Sequence, residues 1–301
     1  MAGKGVLAES HPASLGASLP FAPTQELVAA ADVVVAAGTE LSETDIYTTT
    51  RLAMNGSLVR IDTDERKLRD HYAAALALQG DAAATLQQLA LRAERAPRSG
   101  WRTAAGAGAL HRARIDAQRD ASWRPALAVL GSLRAVLPAE GVVFTDMTQI
   151  AYLGNYAFPV ERPGVWFHPS GYGALGYALP AAIGARIAQP QRPVVALAGD
   201  FGSQFTLQDL MTAVEHRLTV PFIIWNNDAL GQIRDDMQAA GIAPIGVVGR
   251  NPDFVALAQA CGASGTRIRD AASLEAELAS ALARPGPTLL EIKASDFRSP
   301  Q

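Results

Sequence analysis

Residues 194–232, VVALAGDFGSQFTLQDLMTAVEHRLTVPFIIWNNDALGQ, constrain the fold more than any other part of the chain. Two short apolar runs, VVALA and VPFIIW, have the length and content of buried strands. Between them TLQDLMTAVEHRL puts Leu207, Leu210, Met211 and Val214 on one helical stripe. Strand, helix, strand makes a βαβ unit, and its crossover requires the strands to be parallel. Parallel strands end at one sheet edge, so Asp200 after the first and Asn227 after the second arrive together. Asp200 supplies a carboxylate, Asn227 an amide oxygen and the next turn the backbone carbonyl of Ala229, while Gly202 and Ser203 offer N–H groups at a helix N-terminus. Hard oxygen ligands beside N–H donors suit a divalent cation next to an anion. The plain alternative is a strand-end Asp that only caps a helix.

The stretch resembles the thiamine diphosphate motif shared by acetolactate synthase, pyruvate decarboxylase and their relatives, which opens on Gly-Asp-Gly and closes on Asn-Asn. Gly199, Asp200, Asn226 and Asn227 stand at those places. The resemblance implies that Asp200, Asn227 and the Ala229 carbonyl hold Mg2+, and that Gly199, Gly202, Ser203 and Gly231 belong to the site of thiamine diphosphate. One departure is Phe201, where the family usually has Gly; the expectation is that Gly202 takes over the turn's flexibility. Residues 168–188, HPSGYGALGYALPAAIGARIA, read on their own as a glycine turn followed by a closely packed helix. They resemble the family segment whose bulky apolar residue wedges under the thiamine, and Leu175 occupies that place. His168, beside the turn, is retained as a site candidate; His71, His111 and His216 have no partners at zinc-ligand spacing.

The 301 residues leave room for about two domains. A net charge of −3 argues against a nucleic-acid or bilayer partner. The single Cys261 excludes an internal disulfide framework, no apolar run reaches membrane-spanning length, and a cytoplasmic location is expected by default. Strands alternate with helices, which predicts α/β architecture with two doubly wound parallel-sheet domains. The first, residues 1–92, is expected to be incomplete. It holds a helix at TQELVAAA, a buried strand at ADVVVAAGTEL, a strand at SLVRIDTD and a closing helix at DAAATLQQLALRA. Without a GxGxxG, Gly38 and Asp62 do not make a dinucleotide site. Residues 93–124 read as a linker with a basic helical segment, LHRARIDAQRD, and residues 125–301 as the second domain.

The Lys4-Gly5, His11-Pro12, Gly38–Leu41 and Val59–Asp64 landmarks resemble the later half of the family's central domain. The resemblance therefore predicts that an N-terminal pyrimidine-binding domain is missing, and with it the glutamate that activates the cofactor. No catalytic residue can be assigned in this chain on that basis. The missing domain would come from a longer polypeptide, in a homodimer or tetramer, or from a separate chain. The implied activity is decarboxylation of a small-molecule 2-oxo acid. The alternatives are acetolactate synthase-type carboligation, a non-catalytic cofactor-binding fragment, and a nucleotide-binding protein unrelated to thiamine. On the helix after the metal turn, Ile233 and Asp236 share a face that the family sends towards the substrate, with Asp235 turned elsewhere. A carboxylate there suits a guanidinium, and NNDALGQIRDDM is similar to the 5-guanidino-2-oxopentanoate decarboxylase branch.

Overall fold

The computed structural model describes residues 3–46, 50–93, 116 and 121–298. The basic helical segment expected within 93–124 lies almost wholly outside the described residues. Two compact units emerge, His11–Arg119 and a second that joins residues 1–10 to Asp120–Gln301.

The His11–Arg119 unit runs α1 (Ala22–Ala30), β1 (Val33–Ala37), α2 (Glu43–Ile46), β2 (Ser57–Asp62), β3 (Leu76–Gln79) and α3 (Ala82–Ala93). Its three strands are parallel in the order β1-β2-β3. Pro23 in the first turn of α1 needs no hydrogen-bond donor there, and Gly38 leaves β1 with φ 61°. β3 was not legible, because ALALQ has no β-branched residue to mark it. β1 also differs from the buried strand expected, since Val33 and Val35 are 56% and 50% exposed. The register aligns Val35 with Val59 and Val59 with Leu76, so these side chains form a row on one face. Leu76 is exposed as well, and α3 buries none of its residues within the described structure. Parallel sheets are ordinarily covered on both faces; among the described residues this one leaves Val33, Val35 and Leu76 exposed on one side.

The larger unit continues with α4 (Arg124–Val136), β4 (Val142–Thr145), α5 (Gln149–Ala157), β5 (Trp166–Phe167) and α6 (Ala178–Ala188). Then come β6 (Val194–Gly199), α7 (Asp200–Ser203), α8 (Leu210–Glu215), β7 (Pro221–Asn226) and α9 (Gly231–Ala239). α10 (Phe254–Ala260), β8 (Ser264–Ile268), α11 (Ala271–Ala283) and β9 (Thr288–Lys293) close it. All six strands are parallel, in the order β5-β4-β6-β7-β9-β8.

β6 and β7 are buried along their whole length, and alternate side chains feed two cores. Val195, Leu197, Ile223 and Trp225 join α4, α5 and α11 on one face; Ala196, Ala198, Phe222 and Ile224 join α6, α8 and α10 on the other. The expected crossover helix opens as a 3₁₀ turn at Leu207–Asp209 before α8, and the short α7 precedes it. That tighter entry moves the buried stripe to Leu207, Leu210 and Ala213, at i, i+3 spacing, and leaves Met211 half exposed. Among the described residues no helix is long and apolar enough to cross a membrane.

Candidate thiamine diphosphate site

β4 has β5 on one side and β6 on the other, so the order of connection reverses between β4 and β6. Ligands of open α/β sheets bind at the carboxyl ends of strands where this reversal falls. Asp146 follows β4, Asp200 follows β6, and Asn226 ends β7. A cavity of about 190 Å³ opens at this edge. Leu175, Gly199, Asp200, Gly202, Asn227, Ala229, Gly231 and Ile233 all line it, so residues spread over some sixty positions converge. Ser203 and Asp236 do not line it. Ser203 is buried with its hydroxyl donating to the Asp200 carbonyl at 2.8 Å, and Asp236 is exposed, accepting from Gln232 Nε2 at 2.9 Å. A larger cavity of about 700 Å³ in the His11–Arg119 unit gathers no residue of either motif.

Asp200 is 1% exposed, and its carboxyl is pushed above the usual carboxylate range by burial, against a hydrogen bond from Asn251 that acts the other way. Asn251 Nδ2 approaches Asp200 Oδ2 to 2.6 Å and Asn226 Oδ1 to 2.9 Å. Asn226 is itself fixed, because its Nδ2 donates to buried Glu291 at 2.7 Å and Glu291 accepts from Arg267. The turn is tightly wound: Asn226 Oδ1 accepts the Asp228 N–H, Asn227 Oδ1 accepts the Ala229 N–H, and Asp228 sits at φ 55°. Asp tolerates that left-handed conformation better than most residues.

Like Asn251, three further residues that the sequence had not marked as site residues, Gln149, Asp235 and Asp146, complete the site. Gln149, in the first turn of α5, accepts from Asn227 Nδ2 at 3.1 Å and donates to Asp235 Oδ2 at 2.7 Å. Asp235 therefore faces the cavity-lining Gln149 instead of pointing elsewhere, and it also pairs with Arg234. A Cβ at Gly231 would meet both amides of the Asn227–Gln149 pair at 2.4–2.5 Å, which is why glycine stands there. The third is Asp146, fully buried, whose two oxygens accept the N–H groups of Gly176 and Tyr177 at 2.8 and 3.0 Å. Burial raises its pKa, and these hydrogen bonds oppose the rise. Together with Thr206, whose hydroxyl donates to the Gly176 carbonyl at 2.9 Å, it clamps the glycine turn that presents Leu175. Its signal in the sequence was a strand-end Asp thirty residues before a glycine-rich helix start.

Phe201 does not crowd the turn. Its ring lies against Gly249, where a Cβ would come within 2.9 Å. Gly202 has no left-handed φ to supply; glycine is needed because a Cβ would meet Asp146 Oδ2 at 2.6 Å and Leu175 Cδ2 at 3.3 Å.

His168 Nδ1 is 2.8 Å from Thr145 Oγ1, and its ring meets Tyr152, a cavity residue, edge-on. Burial lowers its pKa from 6.5 to about 4. The fold therefore favours neutral imidazole: its contribution is fully present above pH 6.5 and is lost as pH falls from there towards 4. The expected loss at the lower pH is on the order of 3 kcal/mol, and His168→Gln should remove it from a pH series of urea denaturation curves. An identical acid slope in wild type and variant would show that His168 titrates alike folded and unfolded.

A buried carboxylate whose hydrogen-bond partners are neutral amides, surrounded by Asn oxygens at a sheet edge, fits a small hard cation. Among the described residues no three His, Cys, Asp or Glu side chains gather as a metal site, which leaves carboxylate plus amide and backbone oxygens as the donor set. Comparison with known proteins agrees with this class of site. Residues 1–89 match the thiamine pyrophosphate enzyme central domain, and residues 146–292 match the thiamine pyrophosphate enzyme C-terminal, TPP-binding domain. The chain belongs to the thiamine pyrophosphate enzymes.

Among its relatives is the probable 2-ketoarginine decarboxylase AruI of Pseudomonas aeruginosa, 46% identical over 295 residues, which are 97% of this chain and 52% of that protein. Acetolactate synthase isozyme 1 large subunit of Escherichia coli is 27% identical over 302 residues, 96% of this chain and 52% of the relative. Isozyme 3 of the same organism is 28% identical over 262 residues, 84% and 45%. The chain spans about half the length of these curated relatives, matching their C-terminal part.

Proposed function

We propose that this chain supplies the diphosphate- and magnesium-binding half of an enzyme that decarboxylates a 2-oxo acid carrying a guanidino group. The observation that carries the reading is the convergence of Asp200, Asn227, Ala229 and Leu175 on one cavity at the sheet's topological switch point. Asp200, Asn227 and the Ala229 carbonyl would hold Mg2+. Gly199, Gly202 and Gly231 line the cavity where the diphosphate would sit, and Leu175, held up by Asp146, would support the thiamine. When bound, thiamine diphosphate supplies an electron sink for the carbanion that decarboxylation leaves. The protein contributes geometry. Gln149 keeps the Asn227 amide from rotating, and the Asp146 clamp fixes the height of Leu175 above Gly202.

No glutamate lines the cavity among the described residues, and about 190 Å³ falls short of the roughly 300–1,000 Å³ of a small-molecule site. Both observations support further walls, and the activating carboxylate, coming from another polypeptide segment. That segment would belong to a homodimer or tetramer of the longer form or to a separate chain. The isolated 301-residue chain is expected to bind thiamine diphosphate only with Mg2+, to bind neither NAD nor ATP, and to show no turnover above that of free cofactor. Decarboxylation by the isolated chain would overturn the split-site reading.

The 2-ketoarginine decarboxylase relative and the carboxylates of α9 support a guanidino substrate over the acetolactate-type alternative. Asp235 is already engaged by Gln149 and Arg234, whereas Asp236 is exposed one turn beyond the cavity-lining Ile233. A guanidinium–carboxylate contact is worth on the order of 1.5–3 kcal/mol, about tenfold or more in preference. In the full-length enzyme, Asp236→Asn should erase that preference for 5-guanidino-2-oxopentanoate over pyruvate. A preference that survives would transfer the reading to the acetolactate type.

A further inference from the structure

Side-chain oxygens of three residues converge on one nitrogen. Asn251 Nδ2 lies 2.6 Å from Asp200 Oδ2, 2.9 Å from Asn226 Oδ1 and 3.3 Å from Asp228 Oδ1. A carboxamide NH₂ carries two hydrogens, so three acceptors oversubscribe it. The assignment of the amide is fixed by its other end, where Asn251 Oδ1 accepts from Gln204 Nε2 at 3.0 Å; turned over, it would set an oxygen against three oxygens. Lys293 reaches Asp228 Oδ2 at 3.1 Å, yet among the described residues the buried Asp200 has only neutral donors. The amide thus satisfies the carboxylate's hydrogen-bonding without balancing its charge.

We infer that Asn251 competes with the divalent cation for Asp200: in the metal-free chain its amide caps the Asp200 carboxylate, and cation entry turns the side chain away. The inference rests on reading Asp200 as a cation ligand. The side chain alone can make this change. The backbone on either side is fastened independently, with the Leu230 N–H donating to the Val247 carbonyl at 2.8 Å, the Gly249 N–H to that of Asp228 at 3.3 Å, and Asp253 capping α10. Asn251 is itself only partly buried, so solvent is open to the amide once released. Asn251 accordingly sets the threshold concentration at which the site loads.

The test measures Mn2+ binding to the 301-residue chain, with thiamine diphosphate present, from the electron paramagnetic resonance signal of the free ion. Removing a hydrogen bond to a charged acceptor that the cation must otherwise displace should make N251A bind Mn2+ roughly tenfold tighter or more. Weaker or unchanged binding overturns the inference and leaves the site reading intact. Absence of Mn2+ binding by the wild-type chain overturns the site reading and the inference with it. A second measurement does not depend on the variant's folding. In the wild-type chain the Asn251 side-chain amide protons, followed by NMR with diamagnetic Mg2+, should lose their hydrogen-bonded shift on saturation. A shift that stays put in the loaded chain would overturn the inference.

Discussion

Asp200→Ala is expected to abolish magnesium-dependent binding of thiamine diphosphate while leaving the chain folded. Both halves follow from the same environment. A buried carboxylate without a cationic partner carries a desolvation penalty of several kcal/mol, and neutral amides return only part of it. Asp200 is 1% exposed, and among the described residues it draws on Asn251 and backbone N–H groups alone. The metal-free fold gains little from it, so its removal should cost the fold little. Magnesium, by contrast, requires oxygen ligands at roughly 2.1 Å in near-octahedral array and gives up hydration water reluctantly. Asp200 is the buried carboxylate of the cavity, and neither Asn227 nor the Ala229 carbonyl supplies a full negative charge in its place. Calorimetric titration with thiamine diphosphate, with and without Mg2+, reads the first half, and thermal unfolding the second. Asp200→Asn, which drops the charge and keeps one acceptor oxygen for the Asn251 amide, should melt near the wild-type temperature and still fail to bind. Unchanged cofactor affinity in the alanine variant would remove Asp200 from the metal site.

The parts of this fold that were legible are those where one element carries its own pattern. VVALA and VPFIIW announce strands buried on both faces, and an uninterrupted apolar run has few other uses at that length. The βαβ rule then forces their ends to one edge, which is why Asp200 and Asn227 could be paired at a distance of 27 residues. What stayed hidden depends on strand order. Asp146 clamps the Leu175 turn only because β4 lies beside β6, and nothing in either strand's sequence states that neighbour. Asn251 is further still from prediction: it comes from an irregular segment between α9 and α10, and its meaning lies in the three oxygens around it. Gly202 shows a different kind of miss. A glycine after a motif invites an argument from backbone freedom, but here it is spacing, a Cβ's width between Asp146 and Leu175, that excludes every other residue. The exposure of Val35 and Leu76 was invisible because apolar content predicts a buried strand only where something exists to bury it.

Gly5→Ala should destabilise the larger unit by several kcal/mol. Gly5 is buried at φ 83°, a conformation that costs a side-chain-bearing residue about 1–3 kcal/mol. An added Cβ would lie 2.4 Å from the Arg162 carbonyl oxygen and 2.6 Å from its carbon, both backbone atoms that cannot rotate aside, which adds roughly another 1–3 kcal/mol. The neighbours make retreat harder. Lys4 Nζ meets Glu9 Oε1 at 2.6 Å with both side chains buried, and Glu9 exchanges hydrogen bonds with Val160 through its backbone N–H and its second oxygen. Burial lowers the Lys4 pKa and raises that of Glu9, so the pair is held by its geometry against desolvation. Lys4→Met should accordingly cost about 3–5 kcal/mol by stranding Glu9, and Lys4→Met with Glu9→Leu should recover most of it. Residues 3–10 therefore act as a strap on the segment 160–163, although the family's central-domain model begins at residue 1. Urea unfolding of Gly5→Ala within about 0.5 kcal/mol of wild type, the range of an ordinary surface change, would show that the strap is decoration on a unit stable without it.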